Sequence, residues 1–184
     1  MIKVASAVLI GFLVVPLAGF SLVMGLAGTS QAGGPQLPGT VRTPNQTNQP
    51  GLEAALYAES MIGVPYLYGG SSPSGFDCSG LAWAAYRQTT VAFARMGAQD
   101  EFKATPQVPQ GDPLEPGDLV FFANSTLSIQ HVGIFIGYLT SGSSTGLMID
   151  APHSGADVRY DEFGTNYLDS WGDEYYVGAT RPGG

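Results

Sequence analysis

The chain holds one cysteine, Cys78, and two histidines, His131 and His153. The thiol lies in "YLYGGSSPSGFDCSGLAWAAY", just after a Gly/Ser-rich loop and where a helical period begins. Asp77 is a good N-cap type, which puts Cys78 in the first turn of that helix. Unpaired backbone N–H groups and the positive end of the helix dipole favour an anion there, so a populated thiolate is expected. The flanking glycines let another stretch of chain approach closely. Cys78 also heads an apolar stripe with Leu81, Ala82, Ala85 and Tyr86, so a small buried hydrophobe is the competing reading.

A thiolate nucleophile needs a base, and the two histidines are the candidates. His131 opens the strand "HVGIFIG", where alternation puts Val132, Ile134 and Ile136 on one face. His131, Gly133 and Phe135 take the other face, so the imidazole points away from the most aliphatic side, beside a glycine that leaves space. A strand-end histidine bonded to a loop is the plainer alternative. His153 follows a proline in "APHSG" and reads as a loop residue. A third group should orient the base through its other ring nitrogen. Asp150 ends the strand "LMID", and an antiparallel neighbour could bring it near His131; taken alone it is an acidic strand-end residue. Tyr66 is either a core aromatic or a hydroxyl donor aimed into the cleft.

The elements that must position these groups make an α+β domain. "LEAALYAESMIG" gives one helix, with Leu52, Ala55, Leu56 and Ile62 on one side, and the Cys78 stripe gives a second. Beyond "EPGD", a turn signature, the period changes to that of strands: "LVFFA", "HVGIFIGY", "LMID", "DVRY" and "YYVGAT". Two N-terminal helices packed on a mostly antiparallel sheet of five to six strands is the expected architecture.

Residues 1–27 and 28–51 precede this domain. From Val4 to Ala27 the chain carries no charge, and as a helix that stretch measures about 36 Å, longer than a hydrocarbon core. It reads as a transmembrane anchor or as a signal peptide, with Gly25/Ala27 or Ser30/Ala32 as cleavage sites for the latter. Either way the remainder is expected to be exported, anchored at the envelope or secreted. Residues 28–51 are Gly, Pro, Thr, Gln and Asn with little to bury, a flexible tether. Residues 52–184 form one domain. A net charge of −8 with only seven basic residues argues against nucleic acid and against a grip on anionic lipid heads. A single cysteine excludes an internal disulfide. A zinc site would rest on His131, His153 and carboxylates without the usual ligand spacings, so no metal or other cofactor is expected.

Five segments, "PYLYGGSSPSGFDCSGLAWAAYRQ", "PLEPGDLVFF", "HVGIFIG", "MIDAPHSGADVR" and "YVGATRP", stand in an order and near spacings that resemble the NlpC-type family of cell-wall cysteine peptidases. The resemblance covers residues 52–182. It implies a papain-like fold and hydrolysis of amide bonds in peptidoglycan stem peptides, typically between D-glutamate, through its γ-carboxyl, and the diamino acid. By position, Cys78 matches the family's nucleophile, His131 its base, and Tyr66 a tyrosine that helps hold the oxyanion. Asp77 matches an acid that in some relatives meets a substrate amine, and Ser79 of the same motif goes with it to substrate binding. Asp150 falls at the third polar position, which is commonly His, and "LTSGSSTG" lengthens the hairpin before it; His153 competes for that role. The expected function is therefore a D,L-endopeptidase of peptidoglycan, acting alone or clearing wall for an envelope-spanning machine. The alternative is a non-catalytic wall-binding or scaffold part of a conjugation or secretion apparatus.

Overall fold

The computed structural model describes residues 48–184. The apolar segment 1–27, read as anchor or signal, and the tether up to residue 47 lie outside the described residues. Among the described residues no helix is long and apolar enough to cross a membrane.

Helix α1 spans Gln49–Ser60, beginning ahead of the apolar pattern that starts at Leu52. Its start is set by capping rather than by hydrophobic period. The Asn48 side-chain oxygen accepts the Gly51 N–H at 3.0 Å, and Pro50 suits a first turn, where its missing N–H costs nothing. Leu52, Ala54, Ala55 and Ala58 are buried, whereas Ile62 lies past the helix end and is exposed. A two-residue hairpin, β1 (Ser71–Ser72) and β2 (Gly75–Phe76), leads into helix α2, Cys78–Tyr86. The stripe read from the sequence is the buried face of α2: Leu81, Ala82, Ala85 and Tyr86 are all inside. A third helix, α3 (Ala98–Ala104), was not foreseen. It has only seven residues, and its inward face includes a charged type, Glu101, which hides the period.

Strands β3 (Leu119–Ala123), β4 (Ile129–Tyr138), β5 (Thr145–Asp150), β6 (Arg159–Gly164), β7 (Ser170–Trp171) and β8 (Glu174–Thr180) form one antiparallel sheet in the order β6-β5-β4-β3-β8-β7. The sixth strand, β7, is too short to show a pattern in the sequence. The segment "DVRY" contributes only its second half to β6; Asp157 bridges to Pro65, and the Val158 N–H bonds Val64 O at 2.8 Å. Central β3 is buried on both faces, which is why "LVFFA" reads as an unbroken apolar run. Leu119, Phe121, Val132, Ile134, Ile136 and Ile149 meet the helices in one core cluster. Val120, Phe122, Phe135, Met148, Phe163 and Tyr176 form a second cluster to which no helix contributes.

Candidate active site

The start of α2 is fixed from several directions. Asp77 caps it, accepting the Gly80 N–H at 2.6 Å and the Gly69 N–H at 2.9 Å. The Asp77 N–H in turn bonds Gly70 O at 3.0 Å. A Cβ on Gly80 would lie 1.9 Å from that same Gly70 oxygen, so the close approach implied by the glycines is made by the chain's own loop. Cys78, a free thiol, is left partly open to solvent at the first helical position.

Arg95 lies across the cap. Its Nη2 donates to both Asp77 oxygens, at 2.7 and 2.9 Å, and its Nη1 donates to Ser79 Oγ at 2.9 Å and to Met96 O. Asp77 and Ser79, expected to meet substrate, are thus mostly buried, and every contact of the Asp77 carboxylate is internal. Sequence reasoning missed Arg95, which sits in a stretch without period.

His131 stands near the start of β4, where the pairing with β3 slips: Phe122 faces His131, yet Ala123 faces Ile129. Such a bulge re-aims the side chains beside it. His131 Nε2 lies 2.8 Å from Asp150 Oδ2, and both groups are buried. Nδ1 is then the nitrogen left to face the sulfur, and the Cys78 thiol lies near enough to bear on the ring's protonation. Burial disfavours a charged imidazole, but the hydrogen bonds and negative charges of Asp150 and Cys78 outweigh it and push His131 up to about 10. The Trp171 indole covers the ring, centroids 4.7 Å apart and planes 20° from parallel, a geometry that favours a cationic imidazole. The space beside Gly133 is not open: a Cβ there would come within 2.4 Å of Met148 Sδ.

Of the two candidates for the orienting group, Asp150 is in contact with His131, whereas His153 is exposed, its Nδ1 3.1 Å from Ser154 O. Burial raises Asp150 against the pull of the imidazole, and its Oδ1 has no hydrogen-bond partner. Tyr66 is half-buried and close enough to be affected by Cys78; burial, then the Cys78 and Asp77 charges, raise its hydroxyl. Two acids escaped the sequence reading. Glu101 is wholly buried with neither oxygen bonded, and burial, aided by the charges of Cys78 and Asp77 and opposed by Arg95, pushes it up to about 9. Glu174 pairs with Trp171 across the β7–β8 turn, and burial raises it while His131 draws it back. Among the described residues no group of three His, Cys, Asp or Glu side chains could hold a metal ion. A thiol at a helix start, an imidazole and a buried carboxylate bonded to it are groups that can supply a nucleophile, a base and an orienter, the chemistry of acyl transfer.

The sequence model of the NlpC/P60 family matches residues 63–178. Murein DD-endopeptidase MepH of Escherichia coli is 34% identical over 123 residues, covering 65% of this chain and 41% of that protein. A gamma-DL-glutamyl hydrolase of Bacillus subtilis is 42% identical over 83 residues, covering 44% of this chain and 20% of that one. The chain therefore spans less than half the length of either relative. Among solved structures, a NlpC/P60 family protein from Bacillus cereus superposes with a TM-score of 0.58 at 26% identity, covering 78% of this chain and 42% of that one. The NlpC/p60 domain of the peptidoglycan hydrolase SagA superposes with a TM-score of 0.52 at 27% identity, covering 71% and 97%. The fold and the matched span agree: this chain belongs to the NlpC/P60 family.

Proposed function

We propose that the protein is an exported peptidoglycan endopeptidase that cuts a stem-peptide amide bond through Cys78, His131 and Asp150. The observation that carries this reading is the 2.8 Å contact between His131 and Asp150 on a ring whose other nitrogen is left to the Cys78 thiol. The imidazolium and the N–H groups at the start of α2 stabilise a sulfur anion, which attacks the amide carbonyl. We assign the developing oxyanion to the Cys78 backbone N–H and the Tyr66 hydroxyl. His131 gives its proton to the leaving amine, and the acyl-enzyme is released by water that His131 then activates. Arg95 keeps Asp77 engaged, so the α2 start stays rigid through both steps.

The bond we assign is the D-γ-glutamyl–diamino acid bond, in line with the hydrolase of Bacillus subtilis named for a gamma-DL-glutamyl bond. The name of MepH, a DD-endopeptidase, supports a second reading, the D,D cross-link. The apolar segment ahead of the tether supports export, and an unpaired thiol outside the reducing cytosol then calls for a chemical role; local wall clearance for an envelope-spanning machine fits the same placement. Mass spectrometry of defined muropeptides incubated with the full-length protein separates the two bonds. Cys78→Ala should abolish cleavage while leaving the circular dichroism spectrum and melting temperature essentially unchanged. Cleavage by a folded Cys78→Ala protein would refute the assignment.

A further inference from the structure

The sheet face without helices carries a cleft of about 800 Å³, a volume typical of ligand sites. One wall lies at the far end of β4, where Tyr138 is seven residues beyond His131, roughly 23 Å at 3.3 Å per residue; the other reaches Tyr176, which pairs with Phe122 opposite His131. The cleft's lining includes none of Cys78, Tyr66, His131 and Asp150.

Its chemistry is distinctive. In a chain with fifteen acidic residues the lining includes one charged side chain, Asp112. The rest combines three tyrosines (exposed Tyr167, half-buried Tyr138 and buried Tyr176) with neutral hydrogen-bonding groups, among them Gln110, Asn166 and Ser143. The rings are held in place. Leu114 N–H bonds the Tyr138 hydroxyl at 3.1 Å, and Tyr176 packs on Phe163 with centroids 5.5 Å apart. Tyr167, by contrast, is 48% exposed. The residue after it, Leu168, adopts φ 68°, a left-handed conformation costly for a branched side chain. That turn is locked, since Leu168 N–H bonds Tyr176 O at 2.8 Å and Asn166 bonds the Asp169 carboxylate through both its N–H and its Nδ2 at 3.0 Å. Those bonds offset the strain and fix the turn that carries the exposed Tyr167 at the cleft edge.

The exposed Tyr167 ring, with Tyr138 beside the same cleft, suits the C–H faces of sugar rings, and uncharged amides and hydroxyls suit hydroxyl and acetamido groups. A polyanion would find no cation here, and a cation only one carboxylate. We infer that this cleft is a binding site for a neutral N-acetylated glycan strand, the sugar backbone that carries the stem peptides. The inference rests on the wall-hydrolase reading for its biological partner, but not for its test.

The test uses the full-length Cys78→Ala protein and N-acetylglucosamine hexamer, followed by NMR and isothermal titration calorimetry. The expected result is saturable binding, with shifts at Tyr138, Tyr167 and Asn166, weakened at least fivefold by Tyr167→Ala. In the otherwise unaltered enzyme, Tyr167→Ala should slow cleavage of intact sacculi at least threefold while leaving cleavage of sugar-free stem peptides unchanged. Absence of sugar binding, shifts confined to the Tyr66 region, or indifference to Tyr167→Ala would overturn the inference. So would nuclear Overhauser contacts from the prolines of residues 28–47 to Tyr138 or Tyr167, which would give the cleft to the chain's own tether. Sugar binding without any peptide cleavage would sink the hydrolase reading alone; cleavage without sugar binding would sink only the glycan site.

Discussion

Asp118 and Asp150 are both wholly buried, and each meets one basic side chain. Asp118 precedes β3 and is satisfied at both oxygens. Arg181 Nε and Nη2 reach one each at 2.8 Å, and the Glu115 N–H adds a bond of 2.8 Å to Oδ2. Asp150 ends β5 and has only His131 on Oδ2, while Oδ1 is bare. The first partner is a permanent cation that ties the "EPGD" turn to the residue just beyond β8. The second can surrender its proton. The same side chain at the same depth therefore serves as a closed structural clamp in one place and as an open, titratable site in the other. Burial of a charge is costly unless it is fully paired, so the incompletely paired one is where a functional reason must be sought.

Removing each carboxylate should separate the two roles. Asp150→Ala takes away the group that orients His131 and holds its proton, and turnover should fall between about a hundred- and ten-thousand-fold. Its stability should fall too, though less than in Asp118→Ala, because His131, unlike Arg181, can release its proton once its counterion is gone. Steady-state hydrolysis of a defined muropeptide, alongside urea unfolding, reads both quantities. Asp118→Ala leaves the Arg181 guanidinium short of its buried counterion and should cost about 3–5 kcal/mol of stability. Turnover per folded molecule should stay within twofold. A large catalytic loss in Asp118→Ala with stability intact would erase the contrast.

The pairs should also differ in their response to alkali. His131 is raised from 6.5 to about 10, so its contribution to stability is full below pH 6.5 and disappears as pH climbs through about 10. Arg181 is raised further by its bonds to Asp118 and keeps its charge over that range. Glu101 adds a third case, a buried carboxyl with no partner. Its value rises from 4.5 to about 9, so the stability present below pH 4.5 declines as pH rises toward 9. Glu101→Gln removes the proton but keeps the shape. It should stabilise the protein by about 1–3 kcal/mol at pH 8 and by almost nothing at pH 5. Thermal unfolding at the two pH values decides it; an equal effect at both would mean that Glu101 is already ionised at pH 5.

What the sequence disclosed follows the same division. Asp77 with Cys78 was legible because a helix start is written locally, in a cap residue followed by a stripe. His131 was legible because alternation fixes which face a strand residue takes, and Asp150 because antiparallel neighbours exchange strand ends. The groups that complete the site depend on distant chain. Arg95 lies in a segment without period, Trp171 on a strand of two residues, and Glu101 looked like a solvated acid within "AQDEFKA". Nor could alternation reveal that Met148 fills the space at Gly133, since that space depends on the neighbouring strand.

His153 supplies the weakest expected effect and the sharpest check on Asp150. It is three residues from Asp150 and a histidine, the commoner type at the third position, so sequence alone kept it in contention. In the fold it is exposed, and its nearest polar contact is Ser154 O at 3.1 Å, the carbonyl of the next residue. A solvated imidazole with no line to His131 can neither orient that ring nor hold its proton. His153→Ala should therefore keep turnover within twofold and stability within about 0.5 kcal/mol, as surface changes usually do. The comparison with Asp150→Ala is what gives this result force. If His153→Ala were the more damaging variant in the same muropeptide assay, the loop after β5 would have to fold back during turnover, and the bare oxygen of Asp150 would belong to a structural group after all.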